Sequence, residues 1–154
     1  MRECIIKKRS KHNVDQTEKG KLKRTFNDVL FSSELEKNYY VYLLEQKDKG
    51  LIIDIQLQPK YLLQEAFIKH GKKYNKIEYV SDFLVTYADG SKKTIDAKGQ
   101  MTADFKLKLK MFNMRYPDEI LECWSYSKID GGWILYDDLI KARRKRKKDK
   151  GKVH

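Results

Sequence analysis

The chain has 154 residues, two cysteines and a formal net charge of +12, which suits one domain with its own core and is too poor in thiols for a disulfide framework. It holds no apolar run long enough to span a membrane, and its first residues are too charged for a signal peptide, so a soluble, reduced, cytoplasmic setting is expected. The charge points to a polyanionic partner, nucleic acid before membrane, while Cys4, Cys123 and three scattered histidines offer no zinc-ligand spacing.

The charge is uneven along the chain. Residues 1–31 carry nine Lys/Arg and four Asp/Glu, residues 141–154 nine and one, and the stretch between them 16 against 17. The excess therefore sits in two arms, which either bind the polyanion or merely solubilise the chain. Residues 1–25 mix Lys, Arg, Ser, Asn, Gln and Gly with little apolar content, and a disordered or docked extended arm is expected there.

A helix is predicted from about Ser33 to Lys47. Leu35, Tyr39, Tyr42, Leu43 and Gln46 fall on one stripe, and Gly50 supplies a stop. Ser33-x-x-Glu36 at its start matches a capping box, in which Ser33 and Glu36 satisfy each other's backbone donors. A strand follows from Leu51 to Gln58, with Leu51, Ile53, Ile55 and Leu57 on one face and Asp54, Gln56 and Gln58 on the other. Pro59 ends it or marks an edge. Gln58 is either part of a solvated edge or a contact to a ligand. Tyr61 to Phe67 is a short apolar segment of unassigned type, and Lys69 to Lys76 reads as a basic loop, solvated or phosphate-contacting.

From Tyr79 to Gly99 the sequence is that of a hairpin, with β-branched and aromatic residues on both sides of Asp89-Gly90. Asp96 and Lys98 share a face of the return strand by alternation. A two-residue loop would place Asp82 on the opposite face. A three-residue loop over Asp89-Gly90-Ser91, with Gly90 left-handed, sets Asp82 across from Lys98 and beside Asp96. Two carboxylates and a lysine on one sheet face suit metal-assisted hydrolysis of a phosphodiester. The carboxylates are hard ligands for Mg²⁺, and the lysine can orient or deprotonate a water or stabilise charge on the phosphate.

A second helix runs from Thr102, a good N-cap, to Tyr116-Pro117. Phe105, Leu109, Phe112 and Tyr116 form its buried stripe, and Lys106, Lys108 and Lys110 lie on its polar faces, either holding a phosphate backbone or simply solvated. Glu119 to Ser125 reads as the last sheet strand, residues 127–135 as a turn, and Tyr136 to about Lys145 as a terminal helix that runs into the basic tail with Arg143, Arg144, Lys145 and Arg146. Helix, strand, hairpin, helix, strand, helix predicts an α+β fold, an α/β sandwich built on a mixed central sheet.

Ser81-Asp82 followed by Asp96-Ala97-Lys98 resembles the Pro-Asp and (D/E)xK signature of the PD-(D/E)xK nuclease superfamily, and more narrowly a group of small phage and prophage proteins within it. The resemblance covers roughly Phe26 to Trp124. It includes Phe31-Ser32-Ser33-Glu34-Leu35-Glu36, Gln58-Pro59, Tyr79 to Phe83, Asp96 to Gly99, and Thr102 with Phe105 and Lys108. It implies an αβββαβ restriction-endonuclease-like core within residues 26–142, between a basic N-terminal arm (1–25) and a basic tail (143–154). It further implies a Mg²⁺- or Mn²⁺-dependent DNA endonuclease without an organic cofactor. In that reading Asp82 and Asp96 hold the ion with the Ala97 carbonyl, Lys98 sits at the attacking water, and Glu36 completes the shell or holds a second ion. Gln58, the helix lysines and the tail arginines would meet the DNA. Small size, basic arms and phage relatives imply a homodimer acting on branched DNA such as four-way junctions, in a bacterial host cell. The rivals are a nucleic-acid-binding protein with this fold and no turnover, and a nuclease acting on RNA.

Overall fold

The computed structural model describes residues 14–151. Residues 1–13, with Cys4 and most of the predicted N-terminal arm, lie outside the described residues. What is described of that arm is structured. Thr17 Oγ1 accepts the Gly20 N–H at 3.1 Å and caps α1 (Glu18–Lys23). The tight hairpin of β1 (Thr25–Phe26) and β2 (Val29–Leu30) follows, turning through Asn27 and Asp28 at positive φ, a conformation these two residue types tolerate best among non-glycines. Neither element was expected.

Ser33 then caps α2 (Glu34–Asp48) as predicted, and the chain leaves it at Gly50, φ 76°, with the Gly50 and Leu51 N–H groups donating to the Lys47 and Gln46 carbonyls. The remaining elements are β3 (Ile52–Leu57), β4 (Lys60–Gln64), β5 (Phe67–Lys69), β6 (Lys72–Tyr74), β7 (Ile77–Val80), β8 (Phe83–Tyr87), β9 (Lys92–Ala97), α3 (Ala103–Arg115), β10 (Leu121–Ser127), β11 (Gly132–Leu135) and α4 (Tyr136–Gly151). One mixed sheet has the order β11-β10-β9-β8-β3, in which β9 and β10 run parallel and the other neighbours antiparallel. A parallel pair needs a crossover, and α3 is that crossover. Along the chain α2, β3, β8, β9, α3 and β10 give the αβββαβ order, with β4 to β7 inserted between the first two strands. The fold is an α+β sandwich.

Two apolar layers lie on the two faces of this sheet. Tyr39 and Leu43 of α2 bury against Ile52, Phe83, Val85, Ile95 and Ala97. Phe105 and Phe112 of α3 bury against Leu63, Tyr79 and Cys123. The predicted stripes of both helices supply these contacts. Alternation along β9 then sends Ile95 and Ala97 toward α2 and leaves Thr94, Asp96 and Lys98 for the α3 side.

Several expectations need correction. Tyr79 to Thr86 is not one strand: β7 ends at Val80, Ser81 and Asp82 break the chain, and β8 begins at Phe83. The hairpin loop is Ala88-Asp89-Gly90, one residue earlier than expected, because Asp89 Oδ1 accepts both the Ser91 N–H (2.9 Å) and the Ser91 hydroxyl (2.6 Å), and Tyr87 N–H donates to the Ser91 carbonyl at 2.9 Å. Ser91 is thus pinned as the first residue of the return, with Gly90 left-handed as predicted, φ 85°. Phe83 pairs with Ile95, so Asp82 falls in register with Asp96, not Lys98. The shift is by two residues and preserves the shared face. In β3 the register slips between Ile52 and Asp54, so Ile52 is buried while Leu51 and Ile53 are exposed, against the simple alternation expected. The Tyr61 segment is β4. Lys69 to Lys76 is part of a β5–β6 hairpin rather than a loop. The 127–135 turn contains β11, and α4 continues through the basic run to Gly151.

Candidate active site

One end of the sheet gathers the C-termini of β3 and β9, the chain break before β8 and the N-terminus of α3. The break is built by hydrogen bonds rather than by a proline. Ser81 Oγ donates to the Ile95 carbonyl at 2.8 Å, Ser81 N–H donates to the Pro59 carbonyl at 3.0 Å, and Gln58 N–H donates to the Asp82 carbonyl at 2.9 Å. Gln58 takes φ 53° to make that contact, a strained backbone for a residue with a side chain.

Asp82, so placed, is buried, and its Oδ2 accepts the Ala97 N–H at 2.9 Å, which ties the break to the end of β9. Asp96 is also buried. Its Oδ1 meets Lys98 Nζ at 2.7 Å, and its Oδ2 accepts the hydroxyl of Tyr79. Lys98 extends the β9–β10 ladder through its N–H to the Trp124 carbonyl, 2.7 Å, and its ammonium lies 4.2 Å from the centre of the Phe105 ring, a cation–π contact. Thr102 Oγ1 accepts the Phe105 N–H at 3.2 Å, so the cap of α3 also places that ring. Burial alone would lower the Lys98 pKa, but the Asp96 and Asp82 carboxylates more than offset this and raise it above the ordinary lysine value. Lys98 in this setting is an ammonium donor at neutral pH. Cys123, in register with Asp96 on β10, is a buried thiol whose pKa burial and the Asp96 charge push up to about 12.

Glu36 arrives from the other face of the sheet. Its backbone N–H donates to Ser33 Oγ at 3.1 Å, and its carboxylate accepts the Ser32 hydroxyl. Glu36, Gln58 and Asp82 line one small crevice with Val29, Leu30, Phe31 and Leu57. The structure therefore brings Asp82, Asp96, Ala97 and Lys98 together, and brings Glu36 and Gln58 to Asp82. Among the described residues, no group of three or more His, Cys, Asp or Glu side chains is arranged to hold a metal ion. The donor chemistry fits a hard divalent cation, since Glu36, Asp82 and Asp96 are all buried carboxylates and Glu36 and Asp82 line the same crevice. As they stand, these carboxylates accept donors from the protein, Lys98 among them.

The predicted contact residues divide. Lys106 and Lys110 are exposed on α3, whereas Lys108 is half-buried and paired with Asp104 at 3.5 Å. Arg143, Arg144 and Lys145 are exposed on α4. Arg146 forms a two-point ion pair with Asp130, 2.5 and 3.2 Å, so it anchors α4 to the turn before β11. Sequence reasoning missed Tyr79, Ser32 and Phe105 as site residues. Tyr79 lies three residues before Asp82, so unbroken alternation would put it on the opposite face, and only the break between β7 and β8 turns it toward Asp96.

The family described as "Protein of unknown function (DUF1064)" matches residues 17–131, about three-quarters of the chain. The chain belongs to that family. The matched span opens at the Thr17 cap of α1 and takes in Glu36, Asp82, Asp96 and Lys98, and it stops before α4. Comparison with the curated proteins and with the solved structures gives no match. Among the described residues no helix is long and apolar enough to cross a membrane.

Proposed function

We propose that this protein is a metal-dependent DNA endonuclease of the PD-(D/E)xK kind, acting on branched DNA as a homodimer in phage or prophage DNA processing. The observation that carries this reading is the convergence of Asp82, Asp96 and a charged Lys98 at the end of one β-hairpin. Fold alone would not support it. Mg²⁺ or Mn²⁺ would be held by Asp82 and Asp96, with the Ala97 carbonyl and Glu36 as further oxygen donors. When bound, such an ion polarises the phosphate and acidifies a water.

The chain's own residues do the rest. In the hydrolysis, a water oxygen bonds to phosphorus as the water gives a proton to solvent, the bond from phosphorus to the leaving oxygen breaks, and that oxygen takes up a proton from solvent. Lys98 can donate a hydrogen bond to a phosphate oxygen as negative charge builds there. Tyr79 and the Ala97 N–H orient Asp96 and Asp82, and Phe105 shields the ammonium from water on one side. Glu36 brings a further carboxyl to the crevice that Asp82 lines.

The test is purified protein with linear, nicked, single-stranded and four-way-junction DNA, each with Mg²⁺ and with EDTA. Cleavage with Mg²⁺ is expected, strongest on the junction, with Ca²⁺ supporting binding but little turnover. Undiminished cleavage in EDTA by metal-stripped protein would sink the metal dependence. The second reading is a DNA-binding protein without turnover. It is favoured by the lack of a three-donor cluster among the described residues, and binding without cutting on every DNA form would establish it.

A further inference from the structure

We propose that the β5–β6 hairpin is a DNA-reading arm that enters the major groove of the duplex whose phosphate the candidate site engages. β5 and β6 pair only with each other, and every residue from Glu65 to Lys76 is exposed. The two-residue turn at His70-Gly71 has both φ angles positive, 49° and 74°, the geometry that matches the twist of a tight ribbon. Phe67 and Tyr74 pair across the strands and stack at 4.7 Å and 6°. The ribbon thus holds its shape without a core beneath it.

Its surface is chemically one-sided in charge. Lys69 and Lys72 pair at the tip, and Lys73 lies opposite Ile68. Residues 67–75 contain three lysines and no Asp or Glu. The two nearest carboxylates are engaged at the base, Glu65 with Arg115 (3.6 Å) and Glu78 with Lys76 (2.8 Å). Ile68 is 73% exposed between the charges. Lysines on an exposed edge can serve only to prevent strand addition. Here they stand on both strands beside an exposed isoleucine and a stacked aromatic pair. Cations flanking an apolar contact complement a polyanion with hydrophobic base edges, such as the thymine methyl. The major groove, about 12 Å wide, admits a two-stranded ribbon whose strands lie about 4.8 Å apart.

The arm is also wired to the site. Its strands lead back through β4 and β7, which are paired with each other, to Gln58-Pro59 and Ser81-Asp82. Those are the segments whose mutual hydrogen bonds seat Asp82. At about 3.3 Å per residue the path from Gln58 to the tip is at most about 40 Å, close to one turn of B-DNA. A duplex gripped by the tip can thus reach Asp82.

This inference rests on the proposed function only in taking DNA as the partner, so it is tested by binding rather than cleavage. Full-length protein is titrated against a short DNA duplex and an RNA duplex in EDTA over a range of salt. Replacing Lys69, Lys72 and Lys73 by Ala should flatten the slope of log K against log salt by about 2–3 units and weaken binding about tenfold or more at 0.1 M salt. Ile68→Ser should weaken binding severalfold and leave the slope unchanged. None of these side chains is buried, so unfolding midpoints should match the wild type, and Lys72→Glu alone replaces the triple variant if that one does not fold. Wild-type binding that the arm variants leave unaltered in affinity and slope overturns the arm and spares the nuclease. Arm-dependent binding without cleavage by the wild type supports the arm and sinks the nuclease. Arm-dependent preference for the RNA duplex overturns the DNA assignment, and failure of the wild type to bind either duplex overturns the arm and leaves the nuclease to the junction-cleavage assay.

Discussion

Glu36 uses different atoms for its two candidate roles. The cap is made by its backbone N–H on Ser33 Oγ, while its carboxylate takes the Ser32 hydroxyl in the crevice shared with Asp82. Glu36→Gln keeps the backbone bond and an acceptor for Ser32 but loses the charge. Thermal unfolding should shift by no more than about 1 kcal/mol, the scale of a cap, while the cleavage rate falls by orders of magnitude. Lost stability with intact cleavage would return Glu36 to a structural role. Tyr79→Phe makes the companion test for Asp96. It removes one buried hydrogen bond, worth about 1 kcal/mol to the fold, and should lower the turnover of bound DNA far more than DNA affinity. Equal loss of both would mean the hydroxyl only supports packing. The shared face of Asp96 and Lys98 was legible in the sequence because strand alternation is a strict period, whereas Asp82 lies in the break before β8 and was read two residues out of register. Tyr79 was not legible, because a hydroxyl reaching from β7 to Asp96 depends on the break at Ser81-Asp82, which no local pattern encodes.

At the scale of elements, α4 divides its basic residues between two tasks. Arg146 grips Asp130, and the Asp130 carboxyl is held below the usual range first by that hydrogen bond and then by the Ser127 hydroxyl. A carboxyl with a lowered folded pKa adds stability above its unfolded value of about 3.9, and that stability fades as pH falls through the folded value. Arg146→Ala should therefore lower the melting temperature at neutral pH, with the gap to wild type closing below about pH 4. A constant gap across that range would mean the pair is not the cause. Arg143, Arg144 and Lys145 are exposed, and only Arg143 adds its charge to the field that lowers the Asp130 pKa. Their joint replacement by Ala should flatten the DNA salt slope by about 2–3 units and lower the melting temperature less than Arg146→Ala does. Helices α2 and α3 were readable because their caps and apolar stripes agree. The β5–β6 arm was not, since with both faces exposed it has no burial alternation to read. The one-residue shift of the hairpin loop escaped because it is decided by the two hydrogen bonds that Ser91 donates to Asp89, which leave composition unchanged, and the bulge at Ile53 breaks the alternation without any mark in the sequence.

For the whole molecule, the sheet separates two apolar layers and gathers at one end the elements that carry charge and chemistry. The Asp82 break, the Lys98 strand end, the α3 cap and the roots of the arm all meet there. Such an arrangement asks the core to hold the site rigid and leaves the basic surfaces free to bind. Leu43, fully buried beneath the β8–β9 hairpin, tests the first half. Leu43→Ala should cost about 2–5 kcal/mol in urea unfolding, and a cost below 1 kcal/mol would mean that layer is not close-packed. The central claim is that the carboxylates at the hairpin end cut DNA, and the rate of nicking of DNA-saturated protein tests it most directly, comparing wild type with Asp96→Asn in Mg²⁺. The account predicts measurable nicking by the wild type, none above background by Asp96→Asn, and similar DNA affinity for both. Equal nicking by the two proteins would contradict it.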